Sequence, residues 1–216
     1  MFFAFTSPDF GVKLFLMKTL YLFLLTFLIS TSAFAATLSS TDQTYVDQAQ
    51  SWIKNLDTAT AKFQQIDYQG NVMRGTFYIN RPGRLRFEYD APTKDFIVAD
   101  GYLIHFYDGE TGQSNSAPIG STLADFILRE NGGFNDKVNV KNVSTTDDMI
   151  NIAVENAEQP GTGELILNYS KTPFSLKSWR IIDAQGLTTD IILSGLDREK
   201  KIPASLFTID NRNLNN

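Results

Sequence analysis

Arg81-Pro82-Gly83-Arg84-Leu85-Arg86-Phe87-Glu88-Tyr89 is followed, after four residues, by a second decisive stretch, Lys94-Asp95-Phe96-Ile97-Val98-Ala99-Asp100-Gly101. Proline and glycine form a turn, and Leu85 and Phe87 then alternate with Arg84, Arg86 and Glu88, the period-two pattern of a strand with one apolar face. Asp100-Gly101 joins the second run to Tyr102–Tyr107, and an Asp-Gly pair tolerates the positive φ of a tight hairpin. Strands joined by hairpins imply an antiparallel meander.

The same signature repeats outward in both directions. Upstream, Ala59, Ala61 and Phe63 alternate with Thr60, Lys62 and Gln64, and Gly70-Asn71 leads into Val72–Asn80. Downstream, strand patterns recur at Val138–Val143, Met149–Val154, Glu164–Tyr169, Leu176–Ile182, Leu187–Leu193 and Phe207–Asp210. Two segments read as helices. Val46, Ala49, Trp52, Ile53 and Leu56 share one helical face behind the capping residues Ser40 and Thr41. Ser121–Glu130 places Leu123, Phe126 and Ile127 together and ends at Asn131-Gly132-Gly133, glycine being the usual residue past a helix C-terminus. The reading is one sheet of about eleven strands with two helical segments, and a sheet that wide tends to curl.

The N-terminus carries an export signal over residues 1–35. Lys18, the apolar run Leu20–Ile29 and Ala33-Phe34-Ala35 supply the charged region, the apolar region and the cleavage site. The run is shorter than the roughly 20 apolar residues that a membrane span needs. Met17, followed directly by Lys18, is the expected start, and residues 36–216 are expected to form a single domain in the periplasm. A formal net charge of −5 makes nucleic acid a poor partner, because phosphate-backbone binding needs clustered Lys and Arg. With no cysteine, the chain has no disulfide and no thiol to carry a lipid anchor.

Composition also narrows the chemistry. One histidine and no cysteine leave few side chains for covalent or metal work, so neither a catalytic site, a metal nor a cofactor is expected. His105 lies inside a strand pattern and would have to recruit every partner from carboxylates or hydroxyls. Ser51-Trp52-Ile53-Lys54 matches S-x-x-K but lacks the accompanying motifs. Gly161-Thr162-Gly163 has no Gly-Lys-Ser/Thr after it and reads as a hairpin. Asp147-Asp148 is a turn with too few neighbouring acids for a calcium loop. Arg84 and Arg86 alternate with the apolar positions and are expected in solvent. Arg81, held extended by Pro82, either ends a strand in water or reaches the carbonyls of a covering segment. Seventeen phenylalanines leave two readings open, a packed core or an apolar pocket between sheet and helices.

In their shared order, these motifs resemble the outer-membrane lipoprotein carrier family (LolA). The resemblance runs through Ala61–Gln65, Gly75–Tyr89, Phe96–Gly101, His105–Asp108, Trp179–Gly186 and Pro203–Phe207. His105 stands where the family often has tryptophan, and the segment after Phe207 is short. The resemblance implies an unclosed antiparallel β-barrel covered by helices, with an apolar cavity for the acyl chains of lipoproteins. It implies a monomer loaded by an inner-membrane ABC lipoprotein-releasing transporter. Delivery would be to an outer-membrane acceptor or to the outer membrane itself. Arg81 matches the arginine that holds the helical lid against the barrel. Phe63, Phe77, Leu85, Phe87, Phe96, Val98 and Phe126 are the candidate cavity residues. A lipid-sensing regulator module on the same half-barrel is the alternative, and it normally brings a second domain.

Overall fold

Two antiparallel meanders are joined into one sheet by the pairing of their first and last strands. The computed structural model describes residues 38–208. The export signal and the end of the strand expected at Phe207–Asp210 lie outside the described residues. The chain runs α1 (Ser40–Lys54), β1 (Thr58–Ile66), β2 (Val72–Asn80), β3 (Arg84–Tyr89), β4 (Phe96–Asp100), β5 (Leu103–Asp108) and β6 (Gln113–Pro118). After a 3₁₀ turn at Ile119–Ser121 come α2 (Asp125–Leu128), β7 (Val138–Thr145), β8 (Met149–Asn156), β9 (Gly163–Lys171), β10 (Phe174–Asp183), β11 (Thr188–Asp197) and a last 3₁₀ turn at Ala204–Phe207. The spatial order is β6-β5-β4-β3-β2-β1-β11-β10-β9-β8-β7. The edges β6 and β7 do not pair, so the sheet stays open. Because these edges are neighbours in the chain, residues 119–137 must pass from one edge to the other, and they form a covering segment.

Eleven strands were expected, but their membership differs. Gln113-Ser114-Asn115-Ser116-Ala117-Pro118 forms β6 against β5 although nothing in it alternates. It is an edge strand held by backbone bonds, so its side chains need no apolar face. The expected last strand begins instead as the 3₁₀ turn Ala204–Phe207. The second helix is also shorter than its pattern, four residues at Asp125–Leu128.

Helix α1 follows its stripe. Val46, Ala49, Trp52 and Ile53 are buried, each large apolar side chain contributing on the order of 2 kcal/mol. Its cap is Ser39, one residue earlier than expected, whose Oγ accepts from the Asp42 N–H at 3.1 Å. The helix packs on the inner face of the sheet, where Ala59, Ala61, Phe63, Phe77, Ile79, Leu85 and Phe87 join one core with the inward residues of β8–β11. A bulge between Leu176 and Ser178 shifts the phase of β10, so that Leu176 and Trp179, three residues apart, pair with Tyr169 and Leu167 and both turn inward.

The outer face is covered at one place. Val98 is 0% exposed and Phe207 1% exposed, and the turn Ala204–Phe207 packs on β3 and β4. Arg86 is drawn into this patch. Its guanidinium lies 4.8 Å from the Phe96 ring centroid, and Nη1 donates to the Leu206 carbonyl at 3.5 Å. Arg84 stays exposed as expected, but Arg86 does not. Replacing Phe207 by Ala should therefore lower stability by about 3–5 kcal/mol, read as a fall in the urea midpoint with an unchanged slope.

Candidate functional site

Between the inner face and residues 119–137 lies an apolar cavity of about 310 Å³. Antiparallel pairing decides which side chains reach it. Leu85 faces Ala99 across β3 and β4, and Phe87 faces Ile97, so Ile97 is the inward residue of that pair of positions. Phe77, Leu85, Phe87, Ile97, Ile104 and Phe106 line the sheet side nearest β6. Leu165, Leu167, Trp179, Ile181 and Ile191 line the other half. Leu123, Phe126 and Ile127 close it from above.

Of the residues singled out in the sequence, Phe77, Leu85, Phe87 and Phe126 line the cavity. Phe63 stands one layer back, edge-on to Phe87 at 5.0 Å between centroids. Phe96 and Val98 do not belong to it. Their strand partners are Glu88 with Tyr107 and Arg86 with His105, all on the outer face. Phe96 stacks on Tyr107 at 4.7 Å, and Val98 is buried on that outer face. The run Phe96-Ile97-Val98-Ala99 is apolar at every position because both of its faces are covered, so alternation could not give its phase. Ile97 was missed for that reason. The register from Leu85 would have placed it. Trp179 was passed over as a lining residue, yet it meets Phe77 and Phe87 edge-on at 6.0 and 6.2 Å.

Arg81 follows the last residue of β2 and reaches both covering pieces. Nη1 donates to the carbonyls of Ile53, in the last turn of α1, and of Leu56, the latter at 3.2 Å. Nη2 donates to the carbonyls of Arg129 at 2.8 Å and Glu130 at 3.2 Å, just past α2. Helix ends leave carbonyls without intrahelical partners, and a five-donor planar cation can serve several at once. Burial lowers the Arg81 pKa, and the nearby Asp57 charge offsets part of that. The junction is completed by backbone bonds from the Gly83 N–H to Leu128 O at 2.8 Å and from the Gly133 N–H to Phe126 O at 2.6 Å. Gln50 of α1 accepts from the Phe134 N–H at 2.6 Å and donates to Gly132 O at 3.2 Å. Gly133 has φ +88°, and a Cβ there would stand 2.4 Å from Gln50 Oε1, so this approach requires glycine.

His105 lies on the outer face, with Nε2 3.1 Å from Asp100 Oδ2. Among the described residues, no three His, Asp or Glu side chains converge as a metal site would require.

The family profile described as "Outer membrane lipoprotein carrier protein LolA" matches residues 54–210. This chain belongs to that family. A protein of Dechloromonas aromatica (strain RCB) named outer-membrane lipoprotein carrier protein is 28% identical over 171 residues, covering 75% of this chain and 81% of that one. One of the same name from Nitrosospira multiformis is 26% identical over 178 residues, covering 78% and 86%. The crystal structure of a LolA superfamily protein from Nitrosomonas europaea aligns over 78% of this chain and 97% of its own, with a TM-score of 0.43 and 10% identity.

The junction predicts a local effect of mutation. Arg81→Leu should speed hydrogen exchange at the Gly83 and Gly133 amides by at least ~10-fold, since charge-assisted bonds contribute roughly 1.5–3 kcal/mol each. Amides of β8 and β9 should exchange as in the parent. Arg81→Lys should fall between, keeping the charge and losing the fork.

Proposed function

We propose that this protein is a periplasmic carrier. It shields the acyl chains of lipoproteins in the apolar cavity and moves them from the inner to the outer membrane. The observation that carries this reading is the cavity itself, a 310 Å³ space walled by Phe77, Leu85, Phe87, Phe126 and Trp179 under a covering segment fastened by hydrogen bonds. Family membership and the names of the relatives support the same cargo. On this reading the export signal starts at Met17 and ends at Ala35, and residues 36–216 act as a monomeric domain. An inner-membrane ABC lipoprotein-releasing transporter loads it, and an outer-membrane acceptor or the outer membrane itself receives the cargo. It performs no chemical step.

The physical need is plain. An acyl chain gains roughly 0.8 kcal/mol per CH₂ removed from water, so a bare lipid tail would almost never cross an aqueous space. The carrier must hold the tail, and it must also let go. Arg81 supplies the second property. Its bonds to Ile53, Leu56, Arg129 and Glu130 favour the closed, empty form, so that re-closure helps to expel the tail at the acceptor.

Two experiments test the two halves of the proposal. Leu85→Glu should weaken uptake of a fluorescent acyl-ester probe by ~100-fold or more, because an ionised carboxylate left unpaired in a dry site costs several kcal/mol. Unchanged uptake by a folded Leu85→Glu protein would count against the cavity as the lipid site. Arg81→Leu should still load lipoprotein from inner-membrane vesicles and should fail to release it to outer-membrane vesicles. Equal loss of both steps, or of neither, would leave Arg81 an ordinary structural residue.

A further inference from the structure

The lining of the cavity includes few polar side chains, and one of them is set apart by its partners. Thr122 donates its hydroxyl to Ile119 O at 2.8 Å within its own segment. Gln65, near the end of β1, uses its Oε1 to accept from the Tyr89 hydroxyl at 2.7 Å. Among the described residues no acceptor meets Gln65 Nε2. The amide is thereby oriented, with its carbonyl turned to Tyr89 and its two N–H donors left for the cavity that Gln65 lines. Tyr89 is itself fixed, its ring edge-on to Phe63 at 5.2 Å. Burial, helped by the charge of Asp95, pushes its pKa up to about 12, so the phenol stays protonated and keeps donating at any physiological pH. Gln65 is only partly buried and its Nε2 is not among the buried atoms left without a partner, so its donors are free to take an acceptor that a ligand brings.

Position adds the second argument. Thr58, beside Arg81, and Gln65 stand at opposite ends of β1, about 23 Å apart at roughly 3.3 Å per residue. Thr189, which also lines the cavity, lies at the Gln65 end, where β10 turns into β11. A ligand that fits is apolar along its length and carries a neutral acceptor at one end. A plain hydrocarbon offers no acceptor. A fatty acid at neutral pH would bring a carboxylate, and no Lys or Arg lines the cavity to meet it.

We propose that Gln65 is a positioning residue whose amide N–H donates to the ester carbonyl oxygen of an O-acylated glycerol. This sets the carbonyl end of the chain at the Gln65–Thr189 end of the cavity and sends its methyl end toward Arg81. The assignment rests on the acyl-chain reading above.

The test compares ester with ether. A diacylglyceryl lipopeptide and its dialkyl-ether counterpart have the same chains, but only the first has carbonyl acceptors. The parent protein should bind the ester roughly 3- to 10-fold more tightly, the value of one well-made hydrogen bond. Gln65→Met keeps the side-chain length and removes the donors. It should lower ester affinity to the ether level and leave ether affinity unchanged. Tyr89→Phe keeps the ring against Phe63 and frees the Gln65 amide to turn, and it should lose part of the preference. The same pattern with a diester phospholipid and its diether would support a site for the acylglycerol ester common to both lipids. An ester preference that survives in Gln65→Met, or equal weakening of ester and ether, would overturn the assignment while leaving the acyl-chain cavity intact. Failure of the parent to bind either lipopeptide would overturn the acyl-chain reading and this one with it.

Discussion

One guanidinium joins the two pieces of chain that cover the sheet. Arg81 donates to two carbonyls at the end of α1 and to two just past α2. Ile53 O and Arg129 O also accept backbone N–H bonds, from Leu56 and Gly132, so Arg81 adds a second, charge-assisted donor at the point where each covering piece ends. Without Arg81 both covering pieces would lose the same partner at once. Polar bonds fasten the cover at this junction, and Ile119, Phe126 and Leu128 of the cover bury apolar side chains in the same core as the sheet.

The space exists because the two apolar layers do not match in extent. The sheet presents inward residues from β1–β5 and β8–β11, while the cover over their centre is a four-residue helix with short turns. Interiors normally reach crystal-like density, and side chains that face a void give up dispersion contacts. Ring contacts, edge-to-face except for the tilted Phe77–Phe87 pair, stiffen the wall: Phe63, Phe77, Phe87 and Trp179 form a chain of neighbours with centroids 4.9–6.2 Å apart. The wall is stiffened by ring contacts and the cover over it is short. On the proposed reading, that division suits a site that accepts a flexible apolar ligand and later releases it.

How far the sequence could be read depended on whether one face or two are covered. β3 has one face buried inward and a largely polar outer face, so Leu85 and Phe87 stood out at once. β4 is covered on both faces, inward by the core and outward by Phe207, and its unbroken apolar run concealed the inward role of Ile97 and the outward roles of Phe96 and Val98. Arg86 was read as solvated because its cover arrives from residues 204–207, more than a hundred positions away, and no local pattern encodes that contact. β6 was invisible for the opposite reason, since an edge strand held by backbone bonds alone leaves no side-chain signature. Arg81 was legible as a residue of interest from its place before proline, but its four carbonyl partners depend on tertiary approach.

The cavity walls are almost wholly apolar, with Gln65, Thr122 and Thr189 the polar residues among them. Arg81 and Gln50 bind the covering segment near the start of β1, and the Gln65–Tyr89 pair stands near its end. Apolar attraction is non-directional and grows with buried area, so walls of this kind grip any chain of suitable girth without fixing where it stops. Directional bonds are needed to set depth and to set open against closed. Arg81 stands beside the start of β1 and Gln65 near its end, so on the proposed readings a change at Gln65 should alter which ligand is held, and a change at Arg81 should alter when it is released.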